Sequence, residues 1–334
     1  MSTATNTAVR SGSASGEGDA QAGTPELSCY TAALVAYLKA ERPDAADLLA
    51  DAVALAVRTD LPAGRLAFRH HRRIDTGGPD GPLVHRGAAR WPDVLAGLRH
   101  ESALRGRVLA VANTRHVPWS PAYGRSAVSH WILLEPGTEH DDRWRVTDRF
   151  AALLPDGEQL PHTGTLDDEQ LRGLLTPPGV LPWQNRARDV HALGDAQELP
   201  DPDHFGWLVR ERGKPGREPA GREAPGQWLT EPLDVLRFLA VRLGEDPAAL
   251  AAHADDLWAA SRHQRHRLGV LARRGRVTAP AADTAAHAWG ELPRSLRFAV
   301  TSAERGRPRP GVVAQAFANL IDAMTVLRRE EPTR

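Results

Sequence analysis

Apolar residues follow different periods in the two halves of this chain, and this change constrains the fold more than any other sequence feature. Between Arg107 and Phe150 the segments RVLAVANT, SHWILLE and RWRVTDRF are short apolar runs separated by turns, which predicts antiparallel strands. From residue 228 almost to the end, apolar residues recur at helical spacing. The pattern therefore predicts an α+β fold whose C-terminal part is mainly helical.

Composition divides the 334-residue chain into four expected parts. Residues 1–26 are small and polar and predict a disordered tail, which leaves 27–175 as the sheet-bearing domain. Residues 176–227 are rich in proline and glycine and predict a connection with a mobile loop at 211–226. Residues 228–330 form the expected helical domain.

Charge and motifs exclude several classes of protein. The 42 basic and 42 acidic residues balance, so no net field draws the chain to nucleic acid or to a membrane surface. A single cysteine fits a reducing cytoplasm, and the absence of a signal peptide or of an 18-residue apolar run predicts a soluble cytoplasmic protein. No phosphate-binding or dinucleotide-binding glycine motif and no convincing metal-ligand spacing is present, so we expect neither a cofactor nor a metal.

The single cysteine, Cys29, follows a residue that suits the start of a helix. Ser28 can cap a helix over residues 29–40, which places Cys29 in the first turn. There the helix dipole and the unpaired N–H groups favour a thiolate, and the backbone N–H of Cys29 can receive a developing oxyanion. The position therefore predicts a nucleophile.

His130 lies in the strand-like run SHWILLEP, one strand before Asp148 in WRVTD. A hairpin symmetric about residue 139 sets Glu135 opposite Arg143 and His130 opposite Asp148. A carboxylate in that position fixes the orientation of the imidazole and raises its basicity. The spacing thus predicts a Cys29, His130 and Asp148 triad.

Each member of this triad also has a purely structural interpretation. A lone cysteine is usually a small buried apolar side chain, and Asp148 can simply end a strand. His116 is the main rival of His130, but it lies in the expected loop TRHVPWSPAYG. His70 and His71, in the basic segment RHHRR, predict a solvated face.

The segments SCYTAALVAYL, VANTRHVPWSPAYG, SHWILLEP and VTDRF resemble the N-terminal family of butirosin biosynthesis protein H. The helical stretch from about 228 to 330 is similar to the all-helical domain that commonly follows in that family. The resemblance implies a papain-like fold with a Cys-His-Asp triad that transfers acyl groups in antibiotic pathways. The chain departs from the family after its cysteine, where RPDAADLLADAVALAVRTD stands in place of a glycine-rich segment.

The resemblance implies an acyl carrier protein as the thioester donor, or aminoacyl-tRNA as in similar proteins, with an amine or hydroxyl acceptor. Both donors carry phosphates, so we expect a basic cluster near the site mouth. The candidate phosphate- or substrate-binding residues are Arg262, Arg265, Arg267, Arg273, Trp119 and Tyr123. A solvated helix face is the competing interpretation of the arginines.

Three other functions fit the same residues. A cysteine peptidase or amidase uses the same triad in an open cleft, and a cyclase uses it to close a carrier-bound chain. A non-enzymatic helical binding module is the contrasting class. It predicts that Cys29→Ala changes nothing except stability.

Overall fold

The structure is a computed structural model that describes residues 26–76, 80–137, 143–154, 156–211 and 226–330. The tail expected at 1–26 lies outside the described residues except for Glu26. The loop expected at 211–226 lies outside them except for its two end residues.

Nine α-helices occur within the described ranges, and most begin at a residue that the sequence marks as a start. Ser28 caps α1, Asp167 forms a capping box at the start of α4, and proline occupies the first turn of α3, α6, α7 and α8. The helices are α1 Cys29–Leu38, α2 Ala45–Ala52, α3 Trp91–Arg105, α4 Asp168–Leu174, α5 Trp183–His191, α6 Pro232–Glu245, α7 Pro247–Arg273, α8 Ala279–Glu304 and α9 Pro310–Glu330.

Eleven strands are described in the same part of the chain. They are β1 Val53–Arg58, β2 Ala67–His71, β3 Leu83–Ala88, β4 Val108–Asn113, β5 Ser129–Pro136, β6 Trp144–Asp148, β7 Ala152–Leu154, β8 Gly157–Gln159, β9 His162–Leu166, β10 Phe205–Arg210 and β11 Trp228–Leu229.

A six-stranded antiparallel sheet, in the order β3-β10-β4-β5-β6-β9, is the centre of the molecule. The α+β class predicted from the sequence is therefore confirmed at this level. Trp131 and Leu133 pack towards α1 on one face of the sheet, while Ile132 and Leu134 pack on the other face in the core that includes α3 and α4. Successive side chains of a strand point to opposite faces, and β5 follows this rule.

Residues 176–227 are more than a connection between domains. They contain α5 and β10, and β10 lies between β3 and β4 in the central sheet. Prolines and glycines dominate its composition and predict a linker, whereas the six-residue run Phe205–Arg210 pairs with residues about 95 to 125 positions earlier in the chain. Local sequence does not carry such long-range pairing.

A second sheet, in the order β11-β1-β2, packs against the helical part. Leu55, Val57, Leu66 and Phe68 from this sheet join one core with α6, α7, α8 and α9. The helical core therefore includes strand residues from the N-terminal third of the chain, and the expected boundary near residue 228 does not separate two independent cores.

Among the described residues, one helix, Pro310–Glu330, is long and apolar enough by length and composition to cross a membrane. Its buried residues include Val313, Phe317 and Leu320, which belong to the helical core. Core helices of globular proteins pass the same test.

Candidate active site

Helix α1 places Cys29 at its first residue. Ser28 has extended backbone angles, and its hydroxyl accepts from the Thr31 N–H at 3.5 Å, which starts the helix as the sequence predicts. Leu34 and Tyr37, fully buried, fix the helix against the face of β5 that carries Trp131, and the Tyr30 and Trp131 rings meet edge to face at 5.2 Å. This packing brings the start of α1 beside the start of β5.

Strand β5 carries His130 near its first residue, but the pairing with β6 differs from the expected register. Glu135 stands opposite Arg145, not Arg143, so the hairpin is centred near residue 140 and Asp148 continues the register opposite Ile132. His130 and Asp148 are therefore diagonal neighbours. The pairs move by two residues, which leaves every side chain on its expected face, and long side chains reach across such diagonals.

The predicted contact between His130 and Asp148 is present. Nε2 of His130 lies 2.7 Å from Oδ2 of Asp148, and both side chains are almost fully buried. Three further donors hold the same carboxylate: Trp119 Nε1 at 2.8 Å, Gln159 Nε2 at 3.0 Å and the Phe150 N–H at 2.9 Å. With its oxygens satisfied, Asp148 can stay ionised in the interior.

His130 and Asp148 each stabilise the charged form of the other. Burial lowers the pKa of His130, but the charge and hydrogen bond of Asp148, followed by those of Cys29, outweigh it and raise this pKa to about 10. Burial raises the pKa of Asp148, but the His130 charge and the bonds from His130, Trp119 and Phe150 lower it overall. At neutral pH the pair is thus an imidazolium and a carboxylate.

Cys29 completes the constellation. Its side chain lies close enough to His130 to help raise the pKa of that imidazole, and both residues line the same cavity. Because Nε2 bonds Asp148, Nδ1 is the ring nitrogen that remains for the sulfur. The thiol is partly exposed, so it is not sealed in hydrocarbon. Its own backbone N–H lies in the first turn of α1, where N–H groups have no intrahelical acceptor.

A buried carboxylate, which the sequence reasoning missed, joins the two chain segments that carry Cys29 and His130. Asp189 on α5 accepts from the Tyr30 hydroxyl at 2.6 Å and from the Ser129 hydroxyl at 2.7 Å. Tyr30 follows Cys29 in the sequence, and Ser129 precedes His130. Burial raises the pKa of Asp189 to about 6, against the opposing effect of these two hydrogen bonds. Nothing in the segment QNRARDVH singles Asp189 out.

Cys29 and His130 face a cavity of about 310 Å³. One side is formed by the sheet-bearing part, including Phe150 and Gln159, and the other by helices α7 and α8, including Trp258 and Arg297. The helical part therefore covers the candidate site.

The structure does not bring the four candidate phosphate-binding arginines into one cluster. Arg262 is buried, stacks over Trp258 at 4.7 Å and donates to the Ala151 carbonyl, while burial lowers its pKa to about 10. The others face different neighbours: Arg265 lies 3.2 Å from Glu26, Arg273 lies 4.0 Å from Asp47, and Arg267 lines a separate cavity. The expectation of one basic patch at the mouth is wrong because successive arginines point around a 27-residue helix.

Trp119 and Tyr123 do not have the substrate-binding positions expected of them. The Trp119 indole donates to Asp148 and stacks on His162 at 4.0 Å, so it positions the acid. Tyr123 is 56% exposed and is not among the described residues that line the cavity.

His70 and His71 are not on a solvated face. His71 is 2% exposed, and both rings line the cavity together with His263 of α7. The solvated face predicted for the basic segment RHHRR is wrong because α7 covers β2, and that contact joins residues far apart in the sequence. His116, the rival of His130, lies in a short 3-10 turn and does not line the cavity among the described residues.

One surface group, Asp201, Asp203 and His204, has ligand atoms within 4.8 Å of one another. Exposed acidic groups of this kind are common without an ion, and this one does not include the triad. The expectation of no metal stays a prediction.

A comparison of the chain with protein-family models found no match, and a comparison with curated proteins found no significant match either.

Proposed function

We propose that this protein is a cysteine-dependent acyltransferase with a papain-like arrangement of its triad. The observation that carries the proposal is the meeting of Cys29, His130 and Asp148 at a cavity that the helical part covers. The resemblance to the butirosin biosynthesis protein H family supports the same activity, for which we propose a role in natural-product biosynthesis in the cytoplasm.

The first step moves the acyl group to the enzyme. The Cys29 sulfur attacks the carbonyl of a thioester or an aminoacyl ester, and the oxyanion is received by the Cys29 N–H. As the carbonyl re-forms, the bond to the donor breaks, and the departing thiolate or alkoxide takes a proton from the His130 imidazolium. Asp148 holds that imidazolium in place through the 2.7 Å contact with His130, and three further donors fix the carboxylate.

The second step returns the acyl group to an acceptor. An amine or hydroxyl gives its proton to the now neutral His130 and attacks the acyl-enzyme, and Cys29 leaves as a thiolate beside the re-formed imidazolium. Water competes with the acceptor at this stage. Cover by Trp258 and Arg297 from α7 and α8 supports a transferase over a hydrolase that needs an open cleft.

The donor is proposed to be an acyl carrier protein or an aminoacyl-tRNA. The test incubates wild type and Cys29→Ala with acyl-loaded carrier proteins and with aminoacyl-tRNAs, and measures intact mass by mass spectrometry. We expect an acyl adduct on wild type, lost on addition of an amine acceptor, and none on Cys29→Ala. Asp148→Asn is expected to slow acylation without changing the attachment site.

Two results would overturn the proposal. An adduct that Cys29→Ala retains removes the cysteine from the mechanism. Release of the free acid at the same rate with and without an amine acceptor makes the protein a hydrolase.

A further inference from the structure

One charged side chain in the wall of the active-site cavity differs from its neighbours. Arg297 of α8 lines the cavity together with Cys29 and is partly buried. Its guanidinium forms no ion pair or hydrogen bond with any described residue, and its nitrogens are accessible. A ligand in the cavity can therefore reach this cation.

The other arginine and the two aspartates described in this wall are already paired. The ion pairs are Arg188 with Asp256 at 2.6 Å, Asp255 with Arg188 at 3.4 Å, and Asp156 with Arg125 at 3.4 Å. Their charges are thus compensated by other described residues. The charge of Arg297 has no such compensation and is available to a ligand.

The packing of α8 on α7 holds the backbone that carries Arg297. Pro293 lies inside α8 and has no N–H, so the Trp289 carbonyl one turn earlier lacks its usual helical partner. The Ser261 hydroxyl of α7 donates to that carbonyl at 2.6 Å. Leu296, the residue before Arg297, is fully buried in the helical core. Only the side chain of Arg297 therefore has to become ordered when a ligand binds.

The chemistry of a guanidinium indicates which ligand group it binds. Its N–H donors form a planar fork that matches the paired oxygens of a carboxylate or a phosphate. Hydrogen bonds between such charged groups are stronger than those between neutral groups. The cavity is thus suited to a substrate with an anionic group.

The size of the cavity assigns this anion to the acceptor. The volume of about 310 Å³ is at the lower end of the range for small-molecule sites. A carrier-protein donor has the whole pantetheine chain between its thioester and its phosphate, and an aminoacyl-tRNA has a nucleoside between its ester and the nearest phosphate. A cavity of this size does not hold either spacer in addition to the acyl group on Cys29. A small acceptor can reach both the acyl-enzyme and Arg297.

We propose that Arg297 binds an anionic group of the acceptor, which is then an amine or alcohol that also carries a carboxylate or a phosphate. The proposal rests on the proposed function, because it assigns Arg297 to the substrate that attacks the acyl-enzyme. The shared chemistry is an oxyanion that accepts from the guanidinium. Water has no such group, so Arg297 favours transfer to the acceptor over hydrolysis.

The test measures transfer from propionyl N-acetylcysteamine thioester to two pairs of acceptors. L-Alanine is compared with L-alaninamide, and O-phosphoethanolamine with ethanolamine, so that one pair reports on a carboxylate and the other on a phosphate. We expect Arg297→Gln to raise the KM of at least one anionic acceptor about tenfold or more relative to that of its neutral partner, the factor that one hydrogen bond to a charged group supplies. Arg297→Lys keeps the charge, and its effect should be smaller.

Arg294→Gln is the matched control. Arg294 lies one turn earlier on α8, is 79% exposed, pairs with Glu291 and is not among the described residues that line the cavity. Its replacement should leave the KM of every acceptor unchanged. Equal changes in KM for the anionic and neutral acceptors of Arg297→Gln, or no change, would overturn the proposal. A defect of Arg297→Gln that appears instead in acylation by propionyl-phosphopantetheine relative to propionyl-pantetheine assigns the cation to the donor and also overturns it.

A second measurement separates this inference from the proposed function. The same four compounds are compared as protectants of Cys29 against iodoacetamide, which requires no acyl transfer. If no thioester acylates Cys29, the acyltransferase proposal fails. Protection that is at least about fivefold stronger with an anionic compound than with its neutral partner, and that Arg297→Gln loses, still supports the anion site. Equal protection within both pairs, no protection, or a difference that Arg297→Gln retains would remove it.

Discussion

Replacing Asp189 with asparagine should stabilise the protein at neutral pH but not at acidic pH. The Asp189 carboxylate is buried, and its pKa is raised to about 6 from 3.8. Between these two values the folded state binds more protons than the unfolded state, so the free energy of unfolding falls as pH rises from about 4 to about 6. The difference between the two pKa values corresponds to about 3 kcal/mol of unfolding free energy. The wild-type protein has lost this stability once the pH is above 6.

Asparagine has nearly the shape of aspartate and does not ionise. Its carbonyl can accept from one of the hydroxyls of Tyr30 and Ser129, and its amide can donate to the other, so the link between α1 and β5 survives. The stability of Asp189→Asn relative to wild type should therefore rise by about 3 kcal/mol between pH 4 and pH 7.

The assay is urea denaturation of both proteins at half-unit intervals over that range. Glu169→Gln is the control, because the Glu169 side chain is 82% exposed and its replacement should leave the difference from wild type flat. A difference for Asp189→Asn that stays constant within 1 kcal/mol, or that falls with pH, would refute the reasoning. It would mean that the carboxylate is hydrated in the folded protein.

Two further predictions concern buried charges. Asp148→Asn removes the charge that raises the pKa of His130, and burial then dominates, so iodoacetamide alkylation of Cys29 at pH 6 to 7 should slow by about tenfold or more in a pH-rate profile. Arg188→Met leaves Asp256 buried without the guanidinium at 2.6 Å that joins α5 to α7, and chemical denaturation should show a loss of about 3 to 5 kcal/mol.

Matched controls accompany both. Asp156→Asn changes an exposed carboxylate that lines the same cavity, and an alkylation rate as low as that of Asp148→Asn would contradict a specific role for Asp148. Asp255→Asn removes the exposed partner of Arg188 at 3.4 Å and should cost less than about 1 kcal/mol. Equal losses of stability for the Arg188 and Asp255 variants would contradict the view that the loss arises because Asp256 is buried without its partner.

The place of Cys29 in the first turn of α1 and the contact between His130 and Asp148 could be predicted from sequence because each depends on near neighbours. The Ser28 cap lies one residue before Cys29, and His130 and Asp148 lie in consecutive strands joined by one hairpin. Even the wrong register preserved the contact, since a shift of two residues leaves the alternation of faces intact. The burial of Asp189 and His71 could not be predicted, because the residues that cover these side chains are far from them in the sequence.

The sequence by itself determined where α1 begins and which side chains of β5 alternate towards the core, because caps and periodicity act within a few residues. Only the tertiary structure decided that β10 enters the central sheet, that α7 covers β2, and that the arginines of α7 face different neighbours. Thr31 meets His263 across 232 residues, and Tyr30 meets Asp189 across 159. Burial and hydrogen bonding at such separations are properties of the packed chain, and no local pattern encodes them.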